Sequence, residues 1–448
     1  GKLCGKIIIF KFAPNIRDRH RRIELNTKNM NGYKIDLYLN KKSSDGSIME
    51  KVHDYKLQLQ EHEENRLNIL KKSPLCSACE REVRILDRYS GEKFKALMFG
   101  SNNYLGATVN NIAIDKAIEV TKEYGVGSGG VPLLTGTNIF QNELESTIAN
   151  VKGFDDAILF SSGFTANIGA IIGLIRSNNL IIHDRLNHAS LIDGSLMSGA
   201  KMMRYNHNDP ASLEKILAEN HENYPGGILV VTDGVFSMDG DIARLPEIID
   251  VVNKYESILL IDDAHATGVI GHKGSGSLSH YNITDRKNII LTGTLSKAIG
   301  AVGGFITASQ DIVNYLRIFA RSNMYSTALP PSVCASSTEI FKMMASTDVV
   351  DRLNRNANYM REKLKEKGYD TLNSETAIIP IMVRNEVLLT EISKEFLKRG
   401  IIVNYIFPPV VSPGKSRIRV SMMATHTKDD MDYFLTILDE IDRDYKIR

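Results

Sequence analysis

Lys297 sits near the centre of Asn288-Ile-Ile-Leu-Thr-Gly-Thr-Leu-Ser-Lys-Ala-Ile-Gly-Ala-Val-Gly-Gly304, where a short apolar run of strand type gives way to small and hydroxylic residues. A lysine just beyond a buried strand suits Schiff-base chemistry, because burial and a nearby cation promote loss of its proton near neutral pH. Gly300, Gly303 and Gly304 let backbone approach a bulky phosphorylated ligand closely, and Thr294 and Ser296 flank the amine with hydroxyls. An isolated Ser-Lys is more simply a surface lysine in a glycine-rich loop, so this reading rests on the lysine's company.

That company follows other apolar runs. Asp262 closes Ile258-Leu-Leu-Ile-Asp262, and a carboxylate there is costly unless it meets a cation or a strong donor. A protonated pyridine nitrogen is such a partner, and the pairing keeps an aromatic ring an electron sink. On that reading His188 stacks on the ring, and His265 and Ser237 hydrogen-bond its phenolic oxygen. Ser162, Gly163 and Phe164 open a helix, whose amides and dipole hold a phosphate, with Thr294 adding a hydroxyl. Either histidine alone is more simply structural. Asp, His and Lys after successive strands of one sheet form a constellation.

The elements that must position these residues are legible as a rhythm. Apolar runs recur at Ala157–Phe160, Leu180–His183, Lys201–Tyr205, Ile228–Thr232, Ile258–Asp262, Ile289–Thr292 and Gly303–Thr307, with helical stretches between most of them. Runs without alternation, separated by helices, predict strands buried on both faces of a mainly parallel seven-stranded sheet in an α/β domain. Ligands of such sheets bind beyond the carboxyl ends of the strands, where the polar clusters fall. Residues 101–335 are expected to form this large domain and 336–448 a smaller C-terminal α+β domain. The latter is predicted to open on a long helix from about Ser336 to Lys367, with strands near Ile378–Val383 and Arg417–Met422. Before the large domain come a basic arm, 1–48, and a segment, 49–100, with a charged amphipathic helix over 49–72 and two short strands.

Composition excludes several classes. The formal net charge is +2, yet residues 1–42 hold eleven Lys or Arg against three Asp or Glu, so the body is acidic. This argues against a nucleic-acid-binding body, while the basic arm suits docking on an acidic partner or organelle targeting. Four cysteines do not make a disulfide scaffold, and Cys76-x-x-Cys79 has no second pair at zinc spacing; no metal is expected. No apolar run reaches the length of a bilayer span and no secretory signal is evident, so a cytoplasmic protein is expected.

The motifs Ser101-Asn-Asn-Tyr-Leu-Gly106, Gly127-Ser-Gly-Gly130, Asn187-His-Ala-Ser190, Gly234-Val-Phe-Ser-Met-Asp-Gly240, Asp262-Asp-Ala-His-Ala-Thr-Gly268, Thr294-Leu-Ser-Lys297, Tyr325-Ser-Thr-Ala-Leu-Pro-Pro331 and Arg417-Ile-Arg419 carry a resemblance. From about Ser101 to His426 the chain resembles the α-oxoamine synthases. These pyridoxal-phosphate enzymes include 8-amino-7-oxononanoate synthase, 2-amino-3-ketobutyrate ligase, 5-aminolevulinate synthase and serine palmitoyltransferase. The resemblance implies fold type I, the aspartate-aminotransferase-like fold, and a homodimer with shared sites. It implies that Lys297 forms the Schiff base with pyridoxal 5'-phosphate and moves the Cα proton, that Asp262 pairs with the pyridine nitrogen and that His188 stacks on the ring. Arg419 would hold the amino-acid carboxylate, Asn102 and Tyr104 would line the substrate side, and Ser326 and Thr327 would reach the phosphate of the neighbouring subunit. The implied reaction is a decarboxylative condensation of an amino acid with an acyl thioester, carried by coenzyme A or an acyl carrier protein, giving an α-amino ketone. A fold type I aminotransferase or lyase is the alternative, and a non-catalytic scaffold subunit a minor one. Two departures stand out: Gln141 replaces a histidine common in relatives, and Val131-Pro132-Leu133 follows the glycine cluster where several subfamilies place a serine and an arginine.

Overall fold

The computed structural model describes residues 47–50, 52, 53, 55, 56, 60, 73–88, 90–408 and 410–448, all within one compact unit, 43–448. The basic arm lies almost wholly outside the described residues, as does most of the helix expected over 49–72.

Two strands, β1 (Glu82–Leu86) and β2 (Lys93–Met98), precede the main sheet. The sheet is built from β3 (Asp156–Phe160), β4 (Leu180–Asp184), β5 (Lys201–Tyr205), β6 (Ile228–Asp233), β7 (Ile258–Asp262), β8 (Ile289–Thr294) and β9 (Gly304–Ala308). Their order is β3-β9-β8-β7-β6-β4-β5. Strands β4 to β8 run parallel, and β9 is antiparallel to both β8 and β3. The expected strands therefore form, to within a residue or two, because uninterrupted Val, Ile and Leu can be buried on both faces. Leu259, Ile261 and Leu291 pack into one core, and Leu260, Ile290 and Val231 into the core on the opposite face.

Register aligns the strand ends that bear chemistry. Asp233 pairs with Asp262, Asp262 with Thr292, and Thr294 with Gly304. Two helices start at this rim for local reasons. Ser162 caps Gly163–Leu174 through a reciprocal capping box with Thr165, and the His188 side chain accepts the Ser190 amide at the start of Ala189–Ser198.

The last third holds a small sheet, β10 (Ile378–Met382), β13 (Arg417–Ser421) and β12 (Asn404–Ile406), in the order β10-β13-β12. Strands β1 and β2 join β11 (Ile401–Ile402), so the residues before the main sheet share hydrogen bonds with the end of the chain. The long helix expected from Ser336 to Lys367 is instead two helices, Pro331–Ser346 and Val349–Glu366. Thr347 breaks it by adopting extended backbone, with its hydroxyl 2.8 Å from the Met343 carbonyl and accepting the Val349 amide. Among the described residues no helix is long and apolar enough to cross a membrane.

The central strand sets a stability prediction. Leu260 is fully buried in the sheet core, so Leu260→Ala is expected to cost about 2–5 kcal/mol through lost contacts and a residual cavity. Urea unfolding of apo-protein measures it; a loss below about 1 kcal/mol would contradict the packing described.

Candidate active site

Asp262 is buried at the end of β7. Its Oδ2 accepts from Asn167 Nδ2 at 2.7 Å and its Oδ1 from the Ala264 amide at 2.9 Å. The same Asn167 amide group donates to Ser190 Oγ at 2.8 Å, and Asn167 Oδ1 accepts from Thr292 at 2.6 Å. Ser190 Oγ in turn lies 2.7 Å from His188 Nδ1. With Asn167 donating to it, Ser190 passes its own proton to that ring nitrogen. Burial holds the His188 ring below its ordinary pKa, with Lys297 adding to the effect against the pull of Asp262. His188 is therefore a neutral imidazole, positioned by the network that orients Asp262. The His188 amide also donates to Asp233 Oδ2 at 3.0 Å.

Lys297 follows β8 and is half-buried. Burial drives its amine down to about 8 against the pull of Asp262 and Asp233, and the positive charge of Arg419 adds to the fall. Among the described residues no carboxylate reaches ion-pair distance of this amine, nor any protein cation that of Asp262. The loop bearing Lys297 is pinned by Leu295 N to Gly303 O at 3.0 Å, Ala301 N to Leu295 O at 2.9 Å and Gly300 N to Lys297 O at 3.0 Å. Gly300 has φ of +73° and a Cβ there would meet the Thr108 amide at 2.7 Å, so this turn requires glycine.

In the small sheet, β13 carries Arg419 opposite Pro380 and Asn404, and Ser421 N bonds Phe99 O while Ala424 N bonds Tyr104 O. These contacts bring three expected residues together. Arg419 Nη2 donates to Asn102 Oδ1 at 3.2 Å, and the Tyr104 hydroxyl lies 2.8 Å from His265 Nδ1. Burial pushes the Tyr104 phenol up to about 12 despite Arg419, and holds the His265 ring well below its ordinary value. The phenol shares a hydrogen bond with Nδ1 of His265 and also reaches Asn102 Oδ1 at 3.4 Å. Arg419 Nε is buried without a hydrogen-bond partner, an open donor on a buried cation.

The amides of Gly163 and Phe164 bond no acceptor among the described residues, whereas the Ser162 hydroxyl is engaged with Thr165. Thr294 Oγ1 lies 3.0 Å from the Gly303 carbonyl and 3.1 Å from Ser296 Oγ. Ser237 is half-buried in the loop after β6, which is held where Thr376 and Glu375 bond the Gly240 carbonyl. Ser326 and Thr327 line a cavity with Pro132, Gln141 and Glu145. Gln141 is buried there and donates to the Leu329 carbonyl at 3.1 Å, a local contact that needs no histidine. His207, Asp239 and Asp241 cluster within 4.8 Å, but His207 bonds Asp184 and Asp241 through both ring nitrogens, and Asp239 pairs with Arg417.

A family profile described as aminotransferase class I and II matches residues 95–438. The chain belongs to that family. An 8-amino-7-oxononanoate synthase from Thermoanaerobacter pseudethanolicus is 39% identical over 82% of this chain and 94% of its own. A serine palmitoyltransferase from Sphingobacterium spiritivorum is 39% identical over 75% of this chain and 84% of its own. A serine palmitoyltransferase solved with its pyridoxal-phosphate internal aldimine aligns with a TM-score of 0.84 at 27% identity, covering 90% of this chain and 100% of that one. The chain is thus an α-oxoamine synthase-type acyltransferase that uses pyridoxal phosphate. Its residues fit that cofactor: a depressed lysine amine without an ion pair, a buried carboxylate without a protein cation, and open amides at a helix start.

Sequence reasoning missed Asn167, Ser190 and Thr292, which join Asp262 to His188. The available signal was one amide side chain, Asn167, in the middle of the mostly apolar helix Gly-Phe-Thr-Ala-Asn-Ile-Gly-Ala-Ile-Ile-Gly-Leu. It also passed over Asp233, whose carboxyl is pushed well up by burial and by the neighbouring Asp262.

The lysine sets a pH prediction. An amine near 8 is protonated below that pH and free above it, so capture of pyridoxal phosphate by apo-protein should quicken about tenfold per pH unit and level off above about 8. Stopped-flow absorbance measures it; a rate still rising at the ordinary lysine value of 10.5 would contradict the burial argument.

Proposed function

We propose that this enzyme condenses an amino acid with an acyl thioester, releasing CO2 and free thiol and leaving an α-amino ketone. The observation that carries this reading is the meeting of a depressed lysine amine, just after β8 of the main sheet, with the charge of a buried, half-satisfied arginine from β13 of the small sheet. Both named kinds of relative, the oxononanoate synthase and the serine palmitoyltransferase, support it. Coenzyme A or an acyl carrier protein presents the acyl group.

The residues divide the work. Asp262, oriented by Asn167, would hold the cofactor's pyridine nitrogen, and His188 would cover its ring. The amides of Gly163 and Phe164 and the Thr294 hydroxyl would bind its phosphate, and Ser237 with the His265 ring its phenolic oxygen. When bound, the cofactor draws electron density from the amino acid's Cα. Arg419 binds the amino-acid carboxylate through its open guanidinium donors, which a planar anion matches, while Asn102 fixes the fork. That clamp sets the Cα–H bond toward Lys297, whose Nζ takes the proton and later returns one. Burial supports both functions: it lets the amine act as a base near neutral pH and strengthens the arginine's hold on an anion.

We further propose a homodimer whose Ser326 and Thr327 serve the phosphate of the partner's site. Their place in the lining of a cavity that Lys297 does not line, with Thr327 exposed, supports this. The active cleft on this reading lies between a large domain, 101–335, and a smaller one, 336–448.

Mixing enzyme, amino acid and acyl-CoA and following thiol and CO2 tests the reaction. Both are expected in equal amounts; an aminotransferase would consume a keto acid and release neither. Lys297→Ala should remove the borohydride-sensitive visible band together with turnover. Arg419→Leu should raise the amino-acid KM by about a hundredfold with the thioester KM little changed, and an unchanged amino-acid KM would reject the clamp.

A further inference from the structure

The turn that carries Asp262 and His265 is tied from behind by a lysine. Lys152 ends the helix Ile139–Lys152, and its side chain is 1% exposed against an Asp263 side chain that is 0% exposed. Its Nζ lies 2.6 Å from Asp263 Oδ2, 2.7 Å from Thr267 Oγ1 and 2.8 Å from the Ser275 carbonyl. An ammonium has three protons, so all are committed. The other Asp263 oxygen accepts both the amide and the hydroxyl of Ser277. The Asp263 amide continues the sheet by bonding Thr292 O at 2.8 Å, and its carbonyl accepts the amides of Ala266 and Thr267. One residue thus sits in three hydrogen-bonding systems. It is the chain neighbour of Asp262 and stands two residues from His265.

A buried ion pair adds little net stability over a well-packed apolar pair of the same volume, because both charges lose their water. What this one adds is geometry. Three acceptors on residues 263, 267 and 275 converge on one cation, which fixes the turn against the helix behind it. Side chains that orient functional groups in this way set how well those groups meet their ligand.

We propose that Lys152 is a positioning residue for the cofactor site: through Asp263, Thr267 and Ser275 it fixes the turn 262–267, so that Asp262 meets the pyridine nitrogen and His265 meets Tyr104. The inference rests on the roles given above to Asp262 and His265. Lys152 itself touches neither cofactor nor substrate.

A double-mutant cycle on pyridoxal-phosphate affinity, read by absorbance titration of apo-protein well below its unfolding temperature, tests it. Lys152→Met is expected to weaken binding about tenfold and shift the absorption maximum of the bound cofactor, while changing it less than about twofold once Asp262→Ala is present. The kcat should fall with the amino-acid KM held, since Arg419 lies on another element. Equal effects of Lys152→Met in both backgrounds would reduce the lysine to a support of the fold and overturn the inference alone. An Asp262→Ala variant binding as tightly as wild type would overturn the site assignment, and the inference with it. Should Lys152→Met fail to fold, Lys152→Met/Asp263→Asn, which removes both charges together, enters the same cycle with the same expected outcomes.

Discussion

A buried acidic side chain supplied with hydrogen-bond donors but, among the described residues, with no protein cation at ion-pair distance is the constraint on which this structure turns. Asp262 is held inside the molecule by one asparagine and one backbone amide. Those two donors leave room for a third, charged partner. Asn167 must therefore be fully satisfied, and it is, by Ser190 and Thr292 as well as Asp262. Orientation of His188 follows from the same chain of bonds. A buried polar network of this kind is useful only when complete, because any orphaned member in low dielectric costs more than an apolar replacement.

The opposite charge is treated differently. Burial does most of the work of lowering the Lys297 amine, and the charge of Arg419 loosens its hold on the proton further. The lysine yields because an amine can become neutral; the guanidinium stays charged and keeps an unpaired donor. On the roles proposed above, the site would so acquire a base and an anion receptor from two cations. The substitution at Gln141 leaves this division intact, since that side chain donates to the Leu329 carbonyl and to neither cation.

The sheet was the most legible part of the sequence. Val, Ile and Leu runs bounded by glycine and polar residues specify strands buried on both faces, and chain order then places Asp262 and Lys297 at neighbouring strand ends. The helix break at Thr347 was not legible, because Ser-Thr-Asp within a helical stretch does not reveal that a threonine hydroxyl will compete for the Met343 carbonyl. Motifs located Arg419, Asn102 and Tyr104, but their meeting depends on β13 lying against residues 99–104, a contact between ends of the chain that no local pattern encodes. Asn167 and Lys152 escaped for a related reason: their partners are distant in sequence, and neither an asparagine on a mostly apolar helix nor a lysine at the end of a polar one reveals what it will meet.

The one strand that runs against the others changes what the reactive amine can do. With β9 antiparallel to β8, the segment from Thr294 to Gly304 is a short loop closed at both ends by ladder bonds, not a long crossover through a helix. In the role proposed for it, the amine would consequently stay at high effective concentration beside its target, so that release and recapture would need only side-chain rotation.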